Sequence, residues 1–167
     1  MNEPLLPQLD YKTITKNFLT ELQRASLGKP SSISYLRNQL FQRSILKPHE
    51  KQIIQAIVIG GTNYITATQE LFSDGTTRFI SHKTGELPLI ADETILKAFF
   101  RKHYDQQAVA LGINFGFPML PTIGPNGELD GKMLGGTKEH LFTGLVGKNL
   151  GDFIRETIKK NIPVAVA

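Results

Sequence analysis

Ile53-Ile54-Gln55-Ala56-Ile57-Val58-Ile59 is the stretch that most limits what this chain can become. It is almost uninterrupted apolar sequence. Polar Lys47-Pro48-His49-Glu50 precedes it and Gly60-Gly61-Thr62 follows it, so it reads as a strand buried on both faces. A strand of that kind sits inside a sheet flanked by helices, which makes the class α/β. At 167 residues the chain is long enough to bury such a core.

The neighbouring segments extend the pattern. Tyr64 to Phe72 reads as a second strand, Ser73-Asp74-Gly75 as a hairpin turn, and Thr76 to His82 as an antiparallel third strand. Between Asp92 and Gln106 the period changes to that of a helix, with Ile95, Leu96, Phe99, Phe100 and His103 on one stripe and Tyr104 at its edge. Ala108 to Ile113 is a fourth strand. A Gly- and Pro-rich region from Gly116 to Gly136 follows, too long for a passive turn. Leu150, Phe153, Ile154 and Ile158 mark a last helix, whose negative C-terminal end suits Lys159 and Lys160. Ile162 to Ala167 reads as a fifth strand. Ahead of all this, Ile14, Phe18, Leu22 and Ala25 share a helical face, with Leu19 beside them, and Gly28 and Pro30 stop that helix. The reading is therefore an N-terminal helix and linker over residues 1–50 and a folded body over residues 51–167. The body's order, β-β-β-α-β-α-β, gives a five-stranded mixed sheet with helices on its faces. That order resembles the ribonuclease H-like topology, which also forms each half of the actin-like ATPase fold.

Composition removes several kinds of function. The chain has no cysteine, so a disulfide framework, a thiolate zinc site and a cysteine nucleophile are excluded. The net charge of +4 is modest, and Arg101-Lys102 and Lys159-Lys160 are the only paired cations, so nucleic acid is not an expected partner. No apolar run of about 20 residues is present, and the N-terminus is acidic, so a soluble, cytoplasmic protein with no membrane partner is expected.

Three short motifs lie at strand ends, where ligands are usually held. Gly60-Gly61-Thr62-Asn63 offers close backbone N–H approach to an anion together with polar side chains. Taken alone it reads equally as a glycine turn without a ligand. Phe115-Gly116-Phe117-Pro118 taken alone is a strand ending in a proline, with two core aromatics. Gly135-Gly136-Thr137-Lys138 offers a hydroxyl and an ammonium group, and taken alone is a polar surface loop. Asp74, Asp92, Asp105, Asp130 and Asp152 read as turn, cap or surface carboxylates. His49, His82, His103 and His140 lack metal-ligand spacing, and His103 is expected to pack at the edge of its helix.

In this order and spacing the motifs resemble the hexokinase family, in the eukaryotic-type branch that includes glucokinase. The family's phosphate loop, Asp-x-Gly-Gly-Thr-Asn-Phe-Arg, is similar to Val58-Ile59-Gly60-Gly61-Thr62-Asn63-Tyr64-Ile65. Its Phe-Ser-Phe-Pro is similar to Phe115-Gly116-Phe117-Pro118, and its sugar-binding Trp-Thr-Lys-Gly-Phe to Gly136-Thr137-Lys138-Glu139-His140. A Gly-x-x-Gly-Lys pattern before a helix is matched by Gly144 to Lys148. Ser31-Ser32-Ile33-Ser34-Tyr35-Leu36 resembles the segment that precedes the family's phosphate loop. The resemblance implies the small lobe of an ATP-dependent, magnesium-dependent hexose 6-phosphotransferase, ending before the catalytic Asp. It implies phosphate contacts at Gly60, Gly61, Thr62 and Asn63, and sugar contacts at Thr137, Lys138, Phe117 and Pro118. The hexose is the implied substrate. The implied partner is a second lobe of the same protein, carrying the adenosine site and the rest of the sugar site. No residue of this chain is named as the catalytic base, and no strong binding of ATP or magnesium by this chain alone is expected.

The departures bear on function. Val58 stands where the family has the Asp that orients magnesium's hydration shell, so no metal ligand is expected there. Ile65 replaces an Arg near the transferred phosphate, and Gly116 a sugar-contacting Ser. Two other readings therefore stand beside the kinase: an inactive sugar sensor or regulator, and an interaction module on a ribonuclease H-like scaffold.

Overall fold

A strand with apolar residues at nearly every position has two faces to bury, and what covers each face decides the architecture. A computed structural model describes residues 10–32, 50–137 and 139–167. The chain divides into two units, Met1–Arg37 and Asn38–Ala167.

In the first unit, α1 (Tyr11–Ser26) starts at Asp10, whose carboxylate accepts hydrogen bonds from the N–H groups of Lys12 and Thr13. It ends at Leu27, followed by Gly28 with φ +67°, a left-handed conformation that glycine adopts without strain. The Glu21 carboxylate accepts hydrogen bonds from the hydroxyls of Ser31 and Ser32 and from the Ser32 N–H, and so folds the segment after the helix back onto it. Ile33 to Leu36 and His49 lie outside the described residues.

In the second unit, β1 (Lys51–Ile59), β2 (Asn63–Phe72) and β3 (Thr77–Glu86) form an antiparallel meander. The β2–β3 turn is built as expected. Gly75 has φ +83°, and the Asp74 carboxylate accepts from the Thr76 N–H and hydroxyl. Next come α2 (Glu93–His103) and β4 (Ala110–Phe115), which pairs parallel to β1. The chain ends in α3 (Leu150–Ile158) and β7 (Val164–Val166), parallel to β4. The mixed five-stranded sheet has the spatial order β3-β2-β1-β4-β7. The Gly- and Pro-rich region contains a separate hairpin, β5 (Met119–Ile123) with β6 (Leu129–Met133), which sequence patterning did not show.

Two expectations are corrected. β1 is not buried on both faces, and the helices α2 and α3 do not lie on both faces of the sheet but on one. Ile57 and Ile59 are fully buried, whereas Val58 is 38% exposed and Ala56 is also exposed. Leu96, Phe99 and Phe100 of α2 and Leu150, Phe153 and Ile154 of α3 join one core with Ile57, Ile59, Leu111, Ile113, Phe115, Val164 and Val166. The reason is topological. β3 to β4 and β4 to β7 are both parallel crossovers, and both progress in the same direction along the sheet. Right-handed connections that advance in one direction lie on one face. The other face carries Ile54, Ala56, Val58, Ile65, Ala67, Ala110, Gly112 and Ala165, none of them fully buried.

Several polar groups within the core are held by specific partners. Gln55 donates to the His103 carbonyl at 2.8 Å and accepts from the Asp105 N–H at 2.9 Å, which fixes the end of α2 to β1. Asp92 caps α2 by accepting from the N–H groups of Thr94 and Ile95. α3 begins at Asn149, which makes no side-chain cap bond. The cap is supplied from β6 instead: Asp130 Oδ1 accepts from the Gly151 N–H at 2.8 Å and from the Gly131 N–H at 2.7 Å. Of the turn, cap and surface roles expected of it, Asp130 has that of a cap, but as a buried carboxylate, 1% exposed, on a strand distant in sequence from the helix. A Cβ on Gly151 would come within 2.7 Å of Asp130 Oδ2, so only glycine fits at that helix turn without rearrangement. Arg155 pairs with Glu128 at 2.7 Å and with Asp152 at 2.6 Å beside it.

Burial raises the Asp130 pKa above the ordinary carboxylate value, and the hydrogen bonds from Gly151 and Gly131 offset only part of this. An acid with a raised folded-state pKa gives its stabilising contribution in full below the unfolded-state pKa and loses it as pH rises through the folded value. Asp130→Asn keeps the Oδ1 acceptor and removes the charge. The stability of wild type relative to Asp130→Asn, from urea unfolding at a series of pH values, should be greatest in acid and fall as pH rises above the ordinary carboxylate value. A difference independent of pH would contradict this assignment.

Candidate functional site

The turn between β1 and β2 is held by its backbone. The Gly60 N–H donates to the Asn63 carbonyl at 2.9 Å, and the Leu87 N–H donates to the Thr62 carbonyl at 2.8 Å. The Asn63 amide donates to the Thr62 hydroxyl at 3.2 Å. The N–H groups of Gly61 and Thr62 have no acceptor among the described residues, and both residues are exposed. Two successive free N–H groups at a glycine turn form a small concavity suited to an anion.

The end of β4 lies against this turn. The Gly116 N–H donates to the Ile59 carbonyl at 2.9 Å, and a Cβ at Gly116 would sit 3.2 Å from that oxygen. Any larger residue at 116 would therefore press on the turn. Phe115 and Phe117 are buried at 4% and 7% exposure, while Pro118 is exposed and its carbonyl accepts from the Leu134 N–H. The Phe117 ring lies among Phe115, His140 and Phe142, with centroids 4.7 to 5.3 Å away.

The third element is the loop from Gly136 to Phe142. Thr137 and His140 bond each other twice: the Thr137 N–H donates to the His140 carbonyl at 2.8 Å, and the His140 N–H donates to the Thr137 hydroxyl at 3.2 Å. Thr137 is exposed, and Lys138 lies outside the described residues. A Cβ on Gly136 would fall 2.1 Å from the His140 carbonyl oxygen, so this close backbone approach requires glycine. Phe142, fully buried, has φ +50°, which for a bulky residue costs about 1–3 kcal/mol and is held here by its packing.

His140 links this loop to the others. It is 2% exposed. Its Nδ1 accepts from the Ile90 N–H at 3.1 Å, and its Nε2 lies 2.7 Å from the Gly61 carbonyl. An N–H can only donate and a carbonyl can only accept, so the proton is assigned to Nε2. The fold thus brings the Gly60–Asn63 turn, the Phe115–Pro118 segment and the Thr137 loop together at one end of the sheet. His140 was passed over in the sequence, because spacing reports metal ligands and not which backbone groups a ring can bridge. His103 packs where expected, its ring 4.6 Å from Phe99 and 4.5 Å from Tyr64, and burial lowers its pKa.

Val58 and Ile65 are register partners on the open sheet face, next to the turn. They are 38% and 40% exposed. Neither offers a lone pair or a charge, so the residues present do not fit a magnesium hydration shell at this point. Among the described residues no group of three or more His, Asp or Glu is placed to hold a metal. The turn itself, with two free N–H groups, fits a phosphate. Lys148, at the end of the Gly144 to Lys148 segment, is paired with Glu93 at 2.7 Å, and Gly144 and Gly147 both have positive φ.

No protein-family model matches the sequence, and no curated protein matches it. Among solved structures, a hexokinase from Schistosoma mansoni complexed with glucose matches with a TM-score of 0.60 and 20% sequence identity. The match covers 93% of this chain and 37% of that one, so the chain spans well under half the length of that hexokinase. The likeness is one of fold: the chain has a hexokinase-like α/β fold. No helix among the described residues is long and apolar enough to cross a membrane.

The cross-strand position of residues 58 and 65 can be tested by substitution. Val58→Asp and Ile65→Arg should each cost about 1 kcal/mol, because a half-exposed strand site loses a well-suited branched residue. The double variant should recover roughly 0.2–1 kcal/mol through the opposed charges. A double-mutant cycle by urea denaturation reads this directly, and strict additivity would contradict the pairing.

Proposed function

We propose that the chain is the small-lobe part of a hexokinase-like sugar kinase, with a ribonuclease H-like body formed by residues 51–167. The observation that carries this reading is the joining of the Gly60–Asn63 turn to the Thr137 loop, one suited to phosphate and the other carrying an exposed hydroxyl. On this reading the free N–H groups of Gly61 and Thr62 cradle a nucleotide phosphate, with Thr62 and Asn63 beside them. Thr137 and Lys138 hydrogen-bond a hexose, and Phe117 and Pro118 shape the edge of that site. A second lobe of the same protein supplies the base, the adenosine contacts and the remaining sugar contacts. ATP and magnesium are the cofactors of the whole enzyme, and the 6-hydroxyl of a hexose in the cytoplasm is the acceptor.

A second reading is favoured by Val58 and Ile65. With an apolar pair beside the phosphate turn, the protein binds sugar and serves as a sensor or regulator without transferring phosphate. The open sheet face supports the third reading, an interaction module that binds no sugar.

The chain of 167 residues by itself should not phosphorylate glucose in a coupled assay with ATP and magnesium. Turnover of about 1–100 s⁻¹, ordinary for a kinase, would overturn the assignment of the base to another lobe. Glucose added to the chain should shift the amide resonances of Thr137 and His140. No shift at millimolar glucose would eliminate both sugar-binding readings and leave the interaction module.

A further inference from the structure

We propose that His140 is a positioning residue that holds the Gly60–Asn63 turn and the Thr137 loop as one unit, so that a change in either loop is transmitted to the other. Three hydrogen bonds carry the inference. The ring reaches the Gly61 carbonyl through Nε2 at 2.7 Å, it receives the Ile90 N–H on Nδ1 at 3.1 Å, and the residue's own N–H is held by Thr137. Gly61 and Thr137 are 76 positions apart in the chain, and among the described residues His140 is the direct hydrogen-bonded bridge between them, by its ring to Gly61 and by its backbone to Thr137.

The ring is 2% exposed and lies edge-on to Phe117 and nearly parallel to Phe142. Walled by aromatics, it has both nitrogens occupied by backbone groups, and backbone groups cannot exchange donor for acceptor. This fixes both the tautomer and the orientation of the ring. The bond to Gly61 lands on the peptide whose N–H, that of Thr62, is one of the two free donors of the turn. Displacing the Gly61 carbonyl must rotate that peptide and re-aim the Thr62 N–H. His140 therefore acts on the anion site through the peptide plane and needs no contact with a ligand. Only its consequence for ligands rests on the phosphate-and-sugar reading above.

Three substitutions separate the parts of the bridge. His140→Phe keeps an aromatic against Phe117 and Phe142 and removes both ring bonds. His140→Gln places an amide N–H at the reach of Nε2 and retains the Gly61 bond. His140→Asn places an amide oxygen at the reach of Nδ1 and retains the Ile90 bond alone. The readout is NMR of the full 167-residue chain: the Gly61 carbonyl carbon, the Thr62 amide nitrogen, and hydrogen exchange of Leu87, which donates to the Thr62 carbonyl. In His140→Phe and His140→Asn the Gly61 and Thr62 resonances should move, and Leu87 should exchange roughly fivefold faster, as loss of one net hydrogen bond implies. His140→Gln should return all three to near wild type. Exchange of Ile57 and Ile113 in the central strands should be unchanged in every variant. The proposal is overturned if His140→Phe leaves Gly61 and Thr62 in place. It is equally overturned if all three variants accelerate Leu87, Ile57 and Ile113 alike, which is what a purely structural role would give.

A titration with inorganic phosphate tests the consequence. Phosphate should bind His140→Phe at least roughly fivefold more weakly than wild type or His140→Gln. If wild type binds no phosphate, the phosphate-cradle reading fails, and the ligand-free resonances still decide the bridge.

Discussion

Two parallel crossovers that advance in the same direction across a sheet must share one face of it, and most of this structure follows from that constraint. The helices α2 and α3 are brought together over Ile57, Ile59, Leu111, Ile113 and Val164, and their aromatic and aliphatic stripes interlock there. One face of the sheet is therefore sealed, and small or branched residues line the other: Ala56, Ala67, Ala110, Gly112 and Ala165. The alternation along β1 is imposed by this one-sided cover, because the residues of its two faces differ little in hydrophobicity.

The same arrangement sets the site. β1 and β4 are adjacent and parallel, so the turn after β1 and the Phe115–Pro118 segment after β4 emerge side by side. The Gly116–Ile59 contact fixes their spacing, and only a residue without Cβ allows that approach without pressure. The Thr137 loop arrives from elsewhere in the chain, after the β5–β6 hairpin, and is attached through His140. Phe142 holds a left-handed backbone inside the aromatic cluster, two residues from the one that bridges the loops.

The polar anchors of the second unit also come from outside the elements they serve. Asp130, on β6, caps α3 because Asn149 does not. Gln55, on β1, receives the end of α2. Gln55 and Asp130 each fasten one element to another, so the helices are placed by hydrogen bonds as well as by apolar packing. A hexokinase-like fold is thus assembled in a chain whose glycine turn at 60–63 is flanked by the apolar pair Val58 and Ile65.

How much of this was legible in the residues divides along one line. Features that depend on a few consecutive residues were readable. The Asp74-Gly75 turn, the α2 stripe with His103 at its edge, the five strands of the mixed sheet, and the glycine turn at 60–63 are all fixed by local preference and periodicity. Features that depend on where distant segments meet were not. The one-sided burial of β1 was missed because a continuous apolar run looks the same whether one or two faces are covered. The β5–β6 hairpin was hidden because Pro121, Gly124, Pro125 and Gly131 mask its alternation. That Asp130 is buried was not legible from its turn, cap or surface reading, because its partner, the Gly151 N–H, belongs to a helix 21 residues later. His140 looked idle because its value lies in two backbone groups, at Gly61 and Ile90, that no spacing rule connects to it. The sequence by itself determined the strands of the main sheet, the helices and the turns that carry polar groups, since those answer to local sterics and period. The tertiary structure decided which face was buried, which carboxylate lost its water and which ring joined the loops, since those depend on contacts made only after the chain has crossed the sheet.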